Sequence, residues 1–216
     1  MKILNLFAGI GGNRTLWGDS HEITAVEYDP NIANIYKERF PNDTVIIYDA
    51  YRFLEEHFRE YDFIWASPPC PTHSKMNSLN KNSRKLPDMR LYGFIIFLQS
   101  WFKGKFVIEN VKPYYKPLLT PSVELSRHYF WTNFYIKPKE FKFNLDIRIH
   151  KNGQSYPHSK DWTQLCEEYG IEKEIIKSVD KRTVVRNCVP PEVGKYILDQ
   201  VGKKTIQQTL PWRAEP

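Results

Sequence analysis

Short apolar runs recur through the first 110 or so residues, at Lys2–Phe7, Glu22–Glu27, Thr44–Tyr48, Asp62–Ala66 and Lys105–Glu109. Polar, helix-like stretches lie between them, at Asn31–Phe40, Tyr51–Phe58 and Asp88–Phe102. Strands separated by helical crossovers favour an α/β fold, a mostly parallel sheet with helices on both faces. Right-handed crossovers then gather the strand C-termini along one edge, where ligands of open α/β sheets bind. The aromatic run HYFWTNFYI, 128–136, reads as a later strand whose poor alternation suits burial on both faces. From Lys137 to about Arg182 the alternation is lost, with one short helix expected at TQLCEEYG. Pro190 and Pro191 then introduce a final helix ending near Val201, and the tail beyond it carries little core signal.

The chain has 216 residues, 41% of them hydrophobic and 26% charged, enough for one compact domain and too apolar for wholesale disorder. Three scattered cysteines make neither a disulfide framework nor a paired-cysteine zinc pattern, and no metal is expected. MKILNLFAGIGG lacks a signal-peptide core and YGFIIFLQSWF is too short to span a bilayer, so a cytoplasmic protein with no membrane partner is expected. The net charge of +6 permits a polyanionic partner without requiring one. Aromatic residues, at 15%, serve equally as core or as base-stacking surface.

The first strand runs into Phe7-Ala-Gly-Ile-Gly-Gly12, and glycines there permit a tight turn and close approach of backbone to a ligand. Gly9 and Gly11 begin the dinucleotide fingerprint, but Arg14 occupies the third glycine position, so the turn alone is also explained as a strand-to-helix connection. Two carboxylates add weight. Glu27, ending the second strand, can accept hydrogen bonds from ribose hydroxyls, and Asp49, after the third, lies within reach of an adenine amino group. The set suits an adenosine-bearing cofactor, S-adenosylmethionine more than a pyrophosphate cofactor.

After the fourth strand comes Ala66-Ser-Pro-Pro-Cys-Pro-Thr-His-Ser74. Three prolines in four positions pin the backbone around Cys70, which points to a thiol whose position matters, although a buried free cysteine is the commoner fate of such a residue. Cys166 and Cys188 read as structural. The fifth strand ends in Val107-Ile-Glu-Asn-Val111, which would bring Glu109 to the same edge as Cys70. A partly desolvated carboxyl there can hold a raised pKa and protonate a ring nitrogen, or else cap a helix or pair with an arginine.

In these residues the chain resembles the cytosine-C5 DNA methyltransferase family. Its cofactor motif is matched by Phe7–Gly12, its nucleophile motif by Pro68-Pro69-Cys70 and its third motif by Glu109-Asn110-Val111, in family order. Arg186-Asn187-Cys188-Val189-Pro190 resembles the closing motif, with arginine where glycine is usual. The resemblance covers residues 1 to about 136 and about 181 to 201. It implies a Rossmann-like S-adenosylmethionine-dependent fold. It implies catalytic roles for Cys70 and Glu109, and cofactor contacts from Phe7, Gly9, Gly11, Gly12, Glu27, Asp49, Pro68 and Asn187. The family's Gln-x-Arg-x-Arg element is replaced by Leu125-Ser-Arg-His-Tyr-Phe130, where Arg127 is the candidate for ordering the catalytic glutamate and contacting the base, with His128 able to share the role.

The implied reaction adds the Cys70 thiolate to C6 of a cytosine flipped out of double-stranded DNA while Glu109 protonates N3, and methylates C5, leaving S-adenosylhomocysteine. The loop Thr72–Pro87 is polar and basic and reads as a lid touching nucleic acid through Ser74, Lys75, Lys81, Arg84 and Lys85, against the plainer reading of a solvated loop. A cytosine methyltransferase acting on RNA, and a catalytically weak binding relative, are the alternatives. The expected organisation is a catalytic domain over 1–136, a reduced target-recognition region over 137–180, a closing segment over 181–201 and a tail over 202–216. So small a recognition region implies a short target word, relaxed specificity or help from a second subunit. The expected setting is a restriction-modification system, with the protein at the nucleoid, or in a host cell if a virus encodes it.

Overall fold

The computed structural model describes residues 1–75, 77, 85–141 and 160–203, with backbone only at 160–162. Its elements run β1 (Lys2–Leu6), β2 (Glu22–Glu27), α1 (Pro30–Arg39), β3 (Thr44–Ile47), α2 (Ala50–His57) and β4 (Phe63–Ala66). They continue with α3 (Arg90–Trp101), β5 (Lys105–Val111), β6 (Val123–Leu125), β7 (His128–Thr132), α4 (Lys160–Glu168), α5 (Lys181–Arg186) and α6 (Pro191–Val201). The strands form one seven-stranded sheet in the order β3-β2-β1-β4-β5-β7-β6. The first five are parallel, whereas β7 runs antiparallel to β5 and β6 antiparallel to β7. This is the expected Rossmann-like α/β sheet, with an antiparallel β6–β7 hairpin along one side.

The period of two along the strands puts a hydrophobic layer on each face. Leu4, Leu6, Ile64, Ala66, Phe106 and Ile108 pack under α2 and α3. Ile3, Phe63, Trp65 and Val107 point the other way and pack against Val193 and Ile197 of α6. The aromatic run divides likewise: Trp131 joins the first layer and Phe130 the second, which explains its lack of alternation. A third cluster unites Leu165, Cys166, Tyr169, Ile171 and Ile176 with Ile10 and Ile35. Much of the described part of 160–180 is therefore packed behind the first loop and α1.

Helix starts follow local chemistry. Asp29 and Asp49 cap α1 and α2, each accepting from the next two backbone N–H groups that need partners, and Pro30 supplies a helix-ready φ at the first turn. β6 and β7 are joined by a two-residue turn, Ser126-Arg127, with Ser126 at φ +57. A positive φ at the first central residue suits the right-handed twist of a hairpin. Among the described residues no helix is long and apolar enough to cross a membrane.

Candidate active site

The chain order reverses between β1 and β4: from β1 the sheet grows outward through β2 and β3 on one side, and through β4 and β5 on the other. A cleft of about 630 Å³ opens at the strand C-termini there, with Phe7, Gly9, Gly12, Glu27, Asp49, Pro68, Cys70, Ser74, Glu109, Arg127 and Asn187 in its wall. Ligand crevices of open α/β sheets form at this kind of switch point.

Turns, rather than a helix, follow β1, through the bonds Gly11 N to Ala8 O, Arg14 N to Gly11 O and Trp17 N to Arg14 O. Phe7 and Gly9 both have left-handed backbone, at φ +54 and +55. For a bulky residue such as Phe7 that conformation costs about 1–3 kcal/mol, and strain of this kind concentrates at ligand sites. Gly9 N donates to Glu27 Oε2 at 2.9 Å, while Tyr28 N and Asp29 N donate to Oε1 at 2.8 and 3.0 Å. Three backbone donors thus fix the Glu27 carboxylate at the cleft wall. The capping bonds of Asp49 both use Oδ1.

Gly11, expected to meet the cofactor, is absent from the cleft wall. A Cβ there would lie 2.4 Å from the Phe40 ring and 2.8 Å from that of Tyr36, so this glycine serves the packing of the turn on α1. At Gly12 a Cβ would lie 2.5 Å from Cys188 Cβ and 2.8 Å from Val189 O, so the closing segment seats directly on the turn. Arg14, where the fingerprint has glycine, reaches sideways to Asp43 in a bidentate buried pair with bonds of 2.9 and 3.0 Å, to which Tyr36 Oη adds a 2.8 Å bond. Arg39 donates to Ile10 O, to Thr15 Oγ1 at 3.0 Å and to Tyr169 O at 3.3 Å, joining α1, the turn and the segment after α4.

On the opposite wall, Cys70 is half-buried and Glu109 is buried, 6% exposed. Asn110 Nδ2 donates to Pro68 O at 2.9 Å, tying the end of β5 to the proline-rich loop. Trp65 Nε1 donates to Ser67 Oγ at 3.0 Å, and Ser67 stands close enough to Glu109 to favour its ionised form. Burial pushes the Glu109 carboxyl up to about 7, although Ser67 and Arg127 pull it down. Burial and the neighbouring Glu109 raise the Cys70 thiol, partly offset by a backbone hydrogen bond and Arg127.

His128 also meets Glu109, with Nε2 3.5 Å from Oε1. Burial, then Arg127 and Lys112, push the His128 ring down to about 3, so at neutral pH it is an uncharged imidazole and the contact is no ion pair. Arg127, the expected partner, sits in the hairpin turn, donates to Arg186 O and acts on Glu109 only through its charge. Lys75 and Lys85 lie on the described ends of the basic loop, whose base Asn77 fastens by bonds to Thr72 O, Lys85 O and Lys85 N at 3.0, 2.8 and 3.0 Å. Lys81 and Arg84 lie outside the described residues, as do 142–159 of the expected recognition region and the tail from 204.

Sequence reasoning passed over Ser67 and the tie from Asn110 to Pro68, and named His128 only as able to share the role given to Arg127. Ser67 and Asn110 flank the two motif residues, and that adjacency was their signal. Nothing in the sequence says which of Arg127 and His128 faces inward. Among the described residues no cluster of three His, Cys, Asp or Glu could hold a metal ion.

The sequence model of the C-5 cytosine-specific DNA methylase family matches residues 1–119. No curated protein sequence matches the chain significantly. Solved structures similar to it include a DNMT2 mutant from Spodoptera frugiperda, at 28% identity over 51% of this chain and 35% of that one, TM-score 0.39. A protein assigned as a DNA modification methyltransferase of an E. coli prophage matches at 22% identity, over 54% and 33% of the two chains, TM-score 0.37. A SAM-dependent methyltransferase from Agrobacterium tumefaciens matches at 18%, over 53% and 40%, TM-score 0.39. In each case the matched part spans well under half of the other protein.

Proposed function

Because the chain belongs to the C-5 cytosine-specific DNA methylase family, we propose that it methylates C5 of cytosine in DNA, with Cys70 as nucleophile and Glu109 as acid. The observation that carries this reading is the pairing of Cys70 and Glu109 on one wall of a cleft whose facing wall holds Gly9, Glu27 and Asp49.

The cleft suits S-adenosylmethionine. Gly9, with no atom within 4 Å of where its Cβ would be, leaves the backbone open to a ligand. The fixed Glu27 carboxylate can accept from ribose hydroxyls, and Asp49 Oδ2 from an adenine amino group. Phe7, Gly12, Pro68 and Asn187 complete the proposed cofactor wall. When bound, S-adenosylmethionine supplies the electrophilic methyl group at its sulfonium.

The chain's own residues prepare the pyrimidine. A cytosine stacked in a duplex hides its C5–C6 edge, so the base is flipped into the cleft. The Cys70 thiolate adds to C6 while the Glu109 acid gives its proton to N3, which raises electron density at C5. After methylation, loss of the C5 proton to water, expulsion of Cys70 as thiolate and return of the N3 proton to Glu109 restore the ring. Arg127, at the hairpin turn, is placed to meet the base or its phosphate. Ser74, Lys75 and Lys85, with Lys81 and Arg84, are proposed to contact the DNA backbone. Reading of the target word is assigned to the region 137–180, with 1–136 and 181–201 forming the catalytic unit.

The test is transfer of labelled methyl from S-adenosylmethionine to duplex DNA and, in parallel, to tRNA. Transfer to DNA, with covalent trapping by 5-fluorocytosine DNA and loss of both in Cys70→Ala, is the expected result. Transfer to tRNA alone replaces DNA by RNA as the substrate. Transfer that survives Cys70→Ala overturns the mechanism.

A further inference from the structure

His128 opens β7 directly after the two-residue turn and stands opposite Val111, while Glu109 stands opposite Phe130. Residues two apart on facing strands share a sheet face, so His128 is the diagonal neighbour of Glu109. Its ring is 3% exposed, its Nε2 lies 3.5 Å from Glu109 Oε1, and its Nδ1 has no hydrogen-bond partner among the described residues. The charged groups around it are Glu109 on β5, Lys112 just after that strand, Glu124 from β6, and Arg127 beside it, which donates to Arg186 O of α5. Lys112 is engaged by Glu124. Cations and burial both disfavour protonation of the ring, which therefore carries a single N–H.

A guanidinium in this position would hold Glu109 as a carboxylate by its charge. A neutral N–H donor orients the same carboxyl without fixing it in the ionised form. We propose that His128 is a positioning residue for Glu109: its neutral ring turns Nε2–H toward Oε1 and keeps the acid proton on Oε2, the oxygen left for the pyrimidine. This rests on the methyl-transfer reading of the cleft. It assigns the orienting role to a hydrogen bond rather than to an ion pair.

Two measurements on the full chain test it. The first is an NMR titration of ¹³C-carboxyl glutamate, with the Glu109 signal identified by its loss in Glu109→Gln. His128→Leu removes the donor and is expected to raise the Glu109 midpoint by on the order of one pH unit. His128→Gln, whose amide nitrogen can stand near the Nε2 position, is expected to return it toward the native value, and His128→Arg to lower it below native. The second is steady-state methyl transfer to DNA. His128→Leu is expected to lower kcat by about tenfold or more with an unchanged KM for S-adenosylmethionine, and His128→Gln to recover it. A Glu109 midpoint unmoved in folded His128→Leu, or Gln and Leu variants that cannot be told apart, overturns the proposal. Midpoints that move as expected in a protein that methylates neither DNA nor RNA support the pairing and overturn the proposed function instead.

Discussion

Near pH 7 Glu109 divides about evenly between acid and carboxylate, while the raised Cys70 thiol remains largely protonated. The combination that the proposed reaction needs, acid Glu109 with thiolate Cys70, is a minority form. Its population climbs as thiolate forms, levels off once Glu109 begins to ionise near 7, and falls above the thiol's pKa. The expected profile of kcat/KM is therefore a rise to about pH 7, a plateau and an alkaline fall. Glu109→Gln should lower the rate by about 10²–10⁴ and abolish the break near 7, leaving a residual rate that rises with pH up to the thiol range. The same burial has a stability cost of known sign. A carboxyl raised from 4.5 to about 7 destabilises the folded state increasingly as pH rises through that interval and costs nothing below it. Glu109→Gln should thus raise the melting temperature at pH 8 and leave it unchanged at pH 4, with a gain of about 3 kcal/mol at most. Cys70 and Glu109 were legible as residues because prolines and an apolar strand isolate them. Arg127 was the natural reading for the partner of Glu109; the Ser126-Arg127 turn leaves it half-buried in the cleft wall, acting on Glu109 by charge, and puts His128 against the carboxyl, a register that adjacent letters do not reveal.

At the scale of elements, the five parallel strands and the first three helices were legible to within two residues at each end, because short apolar runs alternate there with polar stretches. β6 escaped notice because three residues, Val123 to Leu125, are too few to show alternation. α5 escaped because six residues beginning Lys181-Arg182 carry no apolar stripe. The turn after β1 was legible as a glycine site but not in its division of labour, since Gly9 only faces the cleft, Gly11 only accommodates α1, and Gly12 lines the cleft and accommodates the closing segment. Arg14→Met tests the support behind that turn. It leaves the buried Asp43 carboxylate with only Tyr36 as a partner and should cost about 3–5 kcal/mol in urea unfolding. Gly12→Ala should displace Cys188 and raise KM for S-adenosylmethionine more than it lowers kcat, which steady-state kinetics at saturating DNA would read.

The whole molecule, with a charge of +6, is expected to bind duplex DNA in a salt-dependent way. If Lys75 and Lys85 each neutralise one phosphate, replacing both by alanine should flatten the plot of log affinity against log salt by about 1.8, read by fluorescence anisotropy at several salt concentrations. Cofactor binding is tested separately from chemistry. S-adenosylhomocysteine at a hundred times its Kd should stabilise the fold by about 2.7 kcal/mol, in Cys70→Ala as in the native protein, and Glu27→Ala should lose most of that gain in thermal melts.

The seat of α6 on the first loop has a consequence in time. A Cβ at Gly194 would lie 2.2 Å from Asn13 O, so helix and loop touch backbone to backbone, and Gly12 meets Cys188 in the same way. The cleft therefore draws on residues made more than 170 positions apart. A nascent chain can finish β1 to β5 on the ribosome and still lack a closed pocket, because its wall at Asn187 and Val189 has yet to emerge. On the proposed function, a chain that has not yet reached Asn187 is expected to transfer no methyl group, which an assay of a chain ended before that residue would read.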